Sequence, residues 1–231
     1  MSNRSYDHWC SVASALDVIG ERWSLLIVRE LLDGPKRYTD LFAGLPGIAT
    51  DMLATRLRDL EKAGVVAKRT LPPPGAAKVY ELTELGGQLR PAVTELARWG
   101  LRLLGDVGPT QSFQSHWLAM PLRVMFRPER AEGVSLTVRF VIDGDELAIQ
   151  IADGNLTVLH AVAGEPDVVI VTDPLTVADL GRASTAENRA NQEKAIADGR
   201  LDITGDRHSR ALLSYVLGIT DRQPARLTPG V

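Results

Sequence analysis

The stretch Ala49–Gly64, ATDMLATRLRDLEKAG, decides how this chain is read. Leu53, Leu57 and Leu60 recur at i, i+4 and i+7, so a helix places them on one side. Asp51, Thr55, Arg58 and Lys62 fall on the opposite side, with Arg56 near the edge. Thr50 is a suitable N-cap, and Gly64 suits the position just past the C-terminus. The leucine stripe holds such a helix to a core while a short polar face stays free. A helix that lies in a DNA major groove needs that division. An ordinary surface helix with a solvated charged face shows the same pattern, so the flanking sequence has to decide.

Upstream, Ser11 is placed to cap a first helix with Val12, Leu16 and Ile19 on its buried face. After Gly20, Arg22-Trp23 opens a second helix, WSLLIVRELLDG, dense enough in apolar residues to be the centre of a core. Gly34-Pro35 ends it, Arg37–Phe42 reads as a short third helix, and GLPGI links to Ala49–Gly64. The order is helix, turn, helix, with the second member presented outward. Downstream, residues 65–69 and 78–82 read as strands around a Pro-rich turn, 71–77, which can be neither helix nor central strand. A β-hairpin directly after a candidate recognition helix is a wing. Lys68, Arg69 and Lys78 at its tip suit phosphate or minor-groove contact.

Charge agrees with this placement. The chain has a net charge of −3, yet residues 56–78 hold Arg56, Arg58, Lys62, Lys68, Arg69 and Lys78 against only Asp59 and Glu61. Residues 1–110 carry 14 Lys+Arg against 13 Asp+Glu, and residues 111–231 carry 12 against 16. A local basic window on an acidic chain is what a small phosphate-contacting surface requires. Beyond the wing, Thr83 caps a further helical stretch. Leu85, Leu89, Val93, Leu96, Gly100 and Leu103 form its seam, Pro91 marks a kink or a fresh start, and Trp99 lies beside it. A partner helix from a second subunit would bury so long a seam; packing back on its own domain is the alternative.

The order Cys10, IGERWSLLIVRELLDGPKRYTDL, GIATDMLATRLRDLEKAGVV, the Pro-rich wing, VYELTELGGQL and Trp99-Gly100 resembles the HxlR-type winged-helix regulators of bacteria over about residues 8–105. The resemblance implies a homodimeric transcription factor that reads a short inverted repeat of double-stranded DNA. Its two reading helices would then lie one DNA turn apart, about 34–36 Å. The expected DNA contacts are Thr50, Asp51, Thr55, Arg56 and Arg58 in the groove, with Lys68, Arg69 and Lys78 on the backbone.

Residues 106–112 form the only linker the composition offers, so the expected domains are 1–108 and 113–231. The second begins with a helical stretch, Gln114–Val124. Leu136-x-Val138-x-Phe140-x-Ile142, Leu147-x-Ile149-x-Ile151 and Leu156-x-Val158 then alternate as half-buried strands with Asp-Gly turns between them. A fourth strand, 168–171, follows Pro166-Asp167. Asp173 then caps a helix with Pro174 at its first position, a second helix covers 185–197, a short edge strand and cap occupy 201–206, and Arg210–Leu217 is the last helix. Strands followed by helices mean an α+β fold with a mainly antiparallel sheet. The stretches DPLTVADL and AIADGRLDITGDRHSRALLSYV resemble sterol-carrier-protein-type domains over about residues 134–217. That resemblance implies an apolar cavity between sheet and helices for a hydrophobic small molecule, with Trp117, Met120 and Phe140 as candidate lining. A cavity filled by side chains is the alternative.

Catalytic signatures are missing. No nucleotide-binding glycine motif and no Gly-x-Ser-x-Gly turn occurs, the four histidines show no zinc spacing, and no cofactor, metal or enzyme activity is expected. Cys10, the single cysteine, rules out an internal disulfide framework and fits a reducing cytoplasm. It precedes a helix N-terminus, where the dipole favours thiolate, and some regulators of the family it resembles sense oxidants at this place. No apolar run is long enough to span a membrane. The sequence reading is therefore a dimeric cytoplasmic regulator with a ligand-sensing second domain. Two other classes stay open: a small-molecule carrier whose winged helix only dimerises, and a regulator whose second domain binds a protein partner.

Overall fold

The computed structural model describes residues 5–72, 76–105, 112–159, 164–183 and 185–224. The turn residues 73–75, the linker residues 106–111 and His160 lie outside that set. The chain forms two compact units, 1–93 and 94–231, divided within a helix rather than at the linker.

The first unit contains helices α1 (Ser11–Ile19), α2 (Ser24–Leu31), α3 (Tyr38–Ala43), α4 (Thr50–Lys62) and α5 (Glu84–Gly87). Its strands are β1 (Lys36–Arg37), β2 (Val66–Thr70) and β3 (Lys78–Leu82), antiparallel in the order β1-β3-β2. Leu53, Leu57 and Leu60 of α4 are 0–1% exposed and pack into a core with Ile27, Val28 and Leu41. Burial of each leucine stabilises the unit by roughly 1.5–3 kcal/mol before entropy is counted. Gly64 ends α4 at φ +71, where its N–H donates to Glu61 O and that of Val65 to Leu60 O. This pair of bonds satisfies two terminal carbonyls and turns the chain straight into β2. Val65 and Val66 then anchor the wing, being 4% and 2% exposed.

Four expectations need correction here. Ala49, not Thr50, is the N-cap of α4, without a side-chain bond; Thr50 is the first helical residue. Cys10, not Ser11, occupies the N-cap of α1. In α1, Ala13 is the buried residue, whereas Val12 and Leu16 are 64% and 41% exposed, because no described residue covers that side. Finally, the wing has a third strand, β1, too short for alternation to reveal: Lys36 pairs with Tyr80 and Arg37 with Val79. The break expected near Pro91 is real. Thr83 Oγ1 accepts from Gly86 N at the start of α5, and a separate helix α6 (Arg90–Leu101) follows with Pro91 in its first turn.

The second unit takes the rest of α6 and adds a 3-10 turn at Ser115–Leu118, α7 (Ala119–Met125), β4 (Ser135–Ile142), β5 (Asp145–Ala152), β6 (Asn155–Leu159), β7 (Val168–Thr172), α8 (Pro174–Arg182), α9 (Thr185–Ala197), β8 (Leu201–Gly205) and α10 (Arg207–Val216). Asp143-Gly144 and Asp153-Gly154 form the two hairpin loops with φ positive at both residues of each, the geometry whose twist matches that of the flanking strands. The sheet order is β6-β5-β4-β7-β8. Only β4–β7 is parallel, a pairing no hairpin signal announces, and β8 is an edge strand as expected. Asp173 caps α8 by accepting from Thr176 N, and Asp206 caps α10, which begins three residues before the expected Arg210. Inward residues Leu136, Val138, Phe140, Ile149 and Ile151 meet Leu122 of α7 and Leu213 of α10 in one core.

Candidate nucleic-acid interface and apolar cavity

The exposed side of α4 carries Thr50, Asp51, Arg58 and Lys62, with Thr55 half-buried between them. The Arg58 guanidinium folds back along its own helix, donating to Ala54 O at 3.2 Å and Thr55 Oγ1 at 3.1 Å. Those bonds are exposed, so the group exchanges them at little cost. Tyr38 Oη donates to Thr50 O at 2.7 Å and ties α3 to the first turn of α4. Sequence reasoning passed over Tyr38, since a tyrosine opening a short helix carries no signal of its own.

Arg56 is held by two carboxylates. Its guanidinium donates to Glu21 Oε2 and Asp59 Oδ2, both at 3.0 Å, and the side chain is only 15% exposed. From the edge of the polar face it braces α4 against the start of α2. Glu30 is a second brace missed in the sequence: its side chain is fully buried and takes Arg29 at 2.7 Å and Lys36 Nζ at 2.6 Å. The only signal was a carboxylate inside the apolar run LLIVRELL. A buried carboxylate needs such cations, and the pair with Lys36 fixes β1 to α2.

The register of the wing separates its three cations. Lys68 pairs with Tyr80 and Thr70 with Lys78, so alternation puts Lys68, Lys78 and Tyr80 on one face and Arg69 on the other. Lys68 Nζ stands 5.4 Å from the centroid of the Tyr80 ring. Lys78 is exposed and has no partner among the described residues. Arg69 is already paired: Nε and Nη2 donate to both oxygens of Glu81 at 2.8–3.0 Å. That hydrogen-bonded carboxylate raises the Arg69 pKa above its ordinary value, so the cation is locked on and locally neutralised.

Cys10 is exposed, and its pKa is lowered by the backbone N–H groups of Ala13 and Val12 at the start of α1. Those N–H groups act in the direction expected from its position before a helix N-terminus.

In the second unit, a cavity of about 470 Å³ lies between the inner face of the sheet and helices α7–α10. Phe140, Ile170, Leu180, Ile196 and Leu217 supply much of its apolar wall. Of the three candidates, only Phe140 lines it. Leu122 and Met125 of α7 line the cavity, and Met120 and Trp117 are not among its lining residues. No group of His, Cys, Asp and Glu able to hold a metal occurs among the described residues. No described helix is long and apolar enough to cross a membrane.

An outward-facing helix on a leucine-anchored core, followed by a β-wing, defines a helix-turn-helix transcription regulator. The chain belongs to the HxlR-like helix-turn-helix family, whose model matches residues 18–106. It is 38% identical over 86 residues to the HTH-type transcriptional regulator YodB of Bacillus subtilis, covering 37% of this chain and 77% of that protein. The uncharacterized regulator YvaP of the same organism is 36% identical over 85 residues, covering 37% and 79%. The solved reduced form of YodB has 33% identity and a TM-score of 0.38, covering 44% of this chain and all of that one. Residues 126–212 match the SCP-2 sterol transfer family, so the regulator carries a second domain of that type.

Proposed function

We propose that the chain is a cytoplasmic, homodimeric regulator that reads double-stranded DNA and whose DNA affinity responds to a hydrophobic small molecule. Residues 1–108 are the DNA-binding part and residues 113–231 the ligand-binding part. The observation that carries the reading is α4: its leucine stripe is fully buried while Thr50, Asp51, Thr55 and Arg58 are left on the open side. Lys68 and Lys78 follow on one face of the wing, where they serve as phosphate contacts. Arg69 and Arg56 join them only by leaving Glu81 and Glu21. Dimerisation is supported by apolar residues that the chain leaves exposed: Val12 and Leu16 on α1, and Leu85, Leu96, Trp99 and Leu103 along the seam. Sequencing the fragments that full-length protein retains from sheared genomic DNA tests this. An inverted repeat should be enriched; retention in proportion to the genome would refute it.

The cavity supports the ligand half of the proposal, because an apolar pocket of this volume suits one small molecule. Coupling requires the ligand to prefer one dimer geometry, since equal affinity for both shifts nothing. A tenfold preference changes operator affinity by up to tenfold per bound ligand, about 1.4 kcal/mol. Operator titrations with and without hexadecanoic acid measure this coupling. A ligand that binds without moving operator affinity would sink it.

A further inference from the structure

The cavity in the second unit is not uniformly apolar, and its polar groups are spaced. Thr172, at the end of β7, is 7% exposed and faces the cavity. Its Oγ1 is buried and has no hydrogen-bond partner among the described residues. A buried hydroxyl without a partner is costly, so such atoms as a rule find a partner in protein, water or ligand. The second polar place is on α10. Arg207, Arg210 and Ser214 recur at i, i+3 and i+7 on the wall, and Arg207 has no partner among the described residues. Arg210 Nη1 makes only a long bond of 3.4 Å to Ile203 O. Asp202 also lies on this wall, which leaves two cations to one anion.

The strand register sets the distance between the two places. Thr172 pairs with Leu201 at the start of β8, while Arg210 reaches Ile203, and Arg207 follows the far end of the strand at Gly205. At the rise of a strand, the β8 positions beside the two arginines therefore lie roughly 7–13 Å along the strand from the one beside Thr172. That span corresponds to on the order of five to ten carbon atoms of an extended chain.

We propose that the cavity takes an amphipathic acid with a second, uncharged oxygen on its apolar body: the carboxylate meets Arg207 and Arg210, and a mid-chain hydroxyl or keto oxygen hydrogen-bonds Thr172 Oγ1. Thr172 is then the residue that selects oxygenated hydrophobes over plain ones. This rests on the reading of the second domain as ligand-binding. The class also explains why one inward position of a hydrophobic sheet carries a threonine: a plain acyl chain would leave its hydroxyl unsatisfied, and a valine would serve it better.

The test uses full-length protein and calorimetric titration with hexadecanoic acid, hexadecanol and a series of hydroxyhexadecanoic acids whose hydroxyl steps along the chain. A mid-chain hydroxyl should tighten binding about three- to tenfold over hexadecanoic acid, the gain of one hydrogen bond, whereas a hydroxyl next to the carboxylate should not. Thr172→Val should erase this preference and bind hexadecanoic acid no more weakly than wild type, and Thr172→Ser should retain it. Arg207→Gln with Arg210→Gln should weaken every acid and leave hexadecanol unchanged. Hexadecanoic acid affinity that has not weakened also shows that the Thr172 variant is folded. If the acids bind but no hydroxyl position is preferred, or Thr172→Val keeps the preference, this inference fails and the ligand-binding reading stands. If none of the probes binds, both fail.

Discussion

The paired state of Arg69 makes the wing a quantitative test of the DNA-binding proposal. A cation that contacts phosphate releases a counterion and steepens the plot of log affinity against log salt by about 0.9. Lys68 and Lys78 are free to do so, one stacked over Tyr80 and the other exposed. Arg69 already gives its bonds to Glu81, so in the wild-type complex it contributes little to the slope. Lys68→Ala should flatten the slope by about 0.9 per wing, or about 1.8 for a dimer. Between about 50 and 200 mM salt, a difference of 1.8 in slope amounts to about a twelvefold change in relative affinity. Arg69→Ala should leave the slope nearly unchanged. Glu81→Gln should steepen it by up to about 1.8, because it frees two guanidinium groups per dimer and removes two carboxylates from the phosphates. Fluorescence anisotropy with operator and with unrelated DNA of equal length measures all three slopes, and the changes should be alike on both DNAs, since phosphate contacts carry no sequence choice. If Arg69→Ala flattens the slope as much as Lys68→Ala, the arginine swings off Glu81 in the complex, and the assignment of Glu81 as its standing counterion is wrong.

Four further outcomes are expected. Arg58→Ala should cost roughly 1–3 kcal/mol of discrimination between operator and mismatched sites with melting temperature unchanged; a large drop in melting temperature with specificity kept would place Arg58 in the fold instead. Leu57→Ala, at 1% exposure, should destabilise the first unit by about 2–5 kcal/mol in urea unfolding, because it removes buried methyl groups and leaves a cavity. Cys10 has a lowered pKa, so its iodoacetamide alkylation rate should reach its plateau at lower pH in folded protein than in urea; coincident curves would refute a thiolate held by the helix N-terminus. Leu96→Glu, at a residue 48% exposed, should shift the sedimentation equilibrium from dimer to monomer without unfolding the chain; an unaltered dimer would remove the α6 seam from the interface.

Helical periodicity alone located α4 and named the three leucines that hold it, since a stripe at i, i+4 and i+7 has one burial solution. Thr83, Asp173 and the Asp-Gly turns were likewise legible, each being a local answer to a local backbone need. The family match and the α+β class followed from such local signals taken in order. Burial of α1 was not legible: Val12 and Leu16 form an apolar stripe like that of α4, yet remain exposed, because periodicity says which side is apolar and not what covers it. The pairing of cations was equally hidden. Arg56 and Arg69 look like Arg58 and Lys68 in sequence, and only the fold brings Glu21, distant by 35 residues, and Glu81, distant by 12, against them. The parallel β4–β7 pair, the brace at Glu30 and the cavity wall that takes Leu122 and Met125 but not Met120 are of the same kind. Sequence determined most elements and their apolar sides through interactions a few residues apart. Which charges stay free, and which apolar side encloses a cavity, depends on contacts between residues far apart in the chain, and those exist only once the elements have packed.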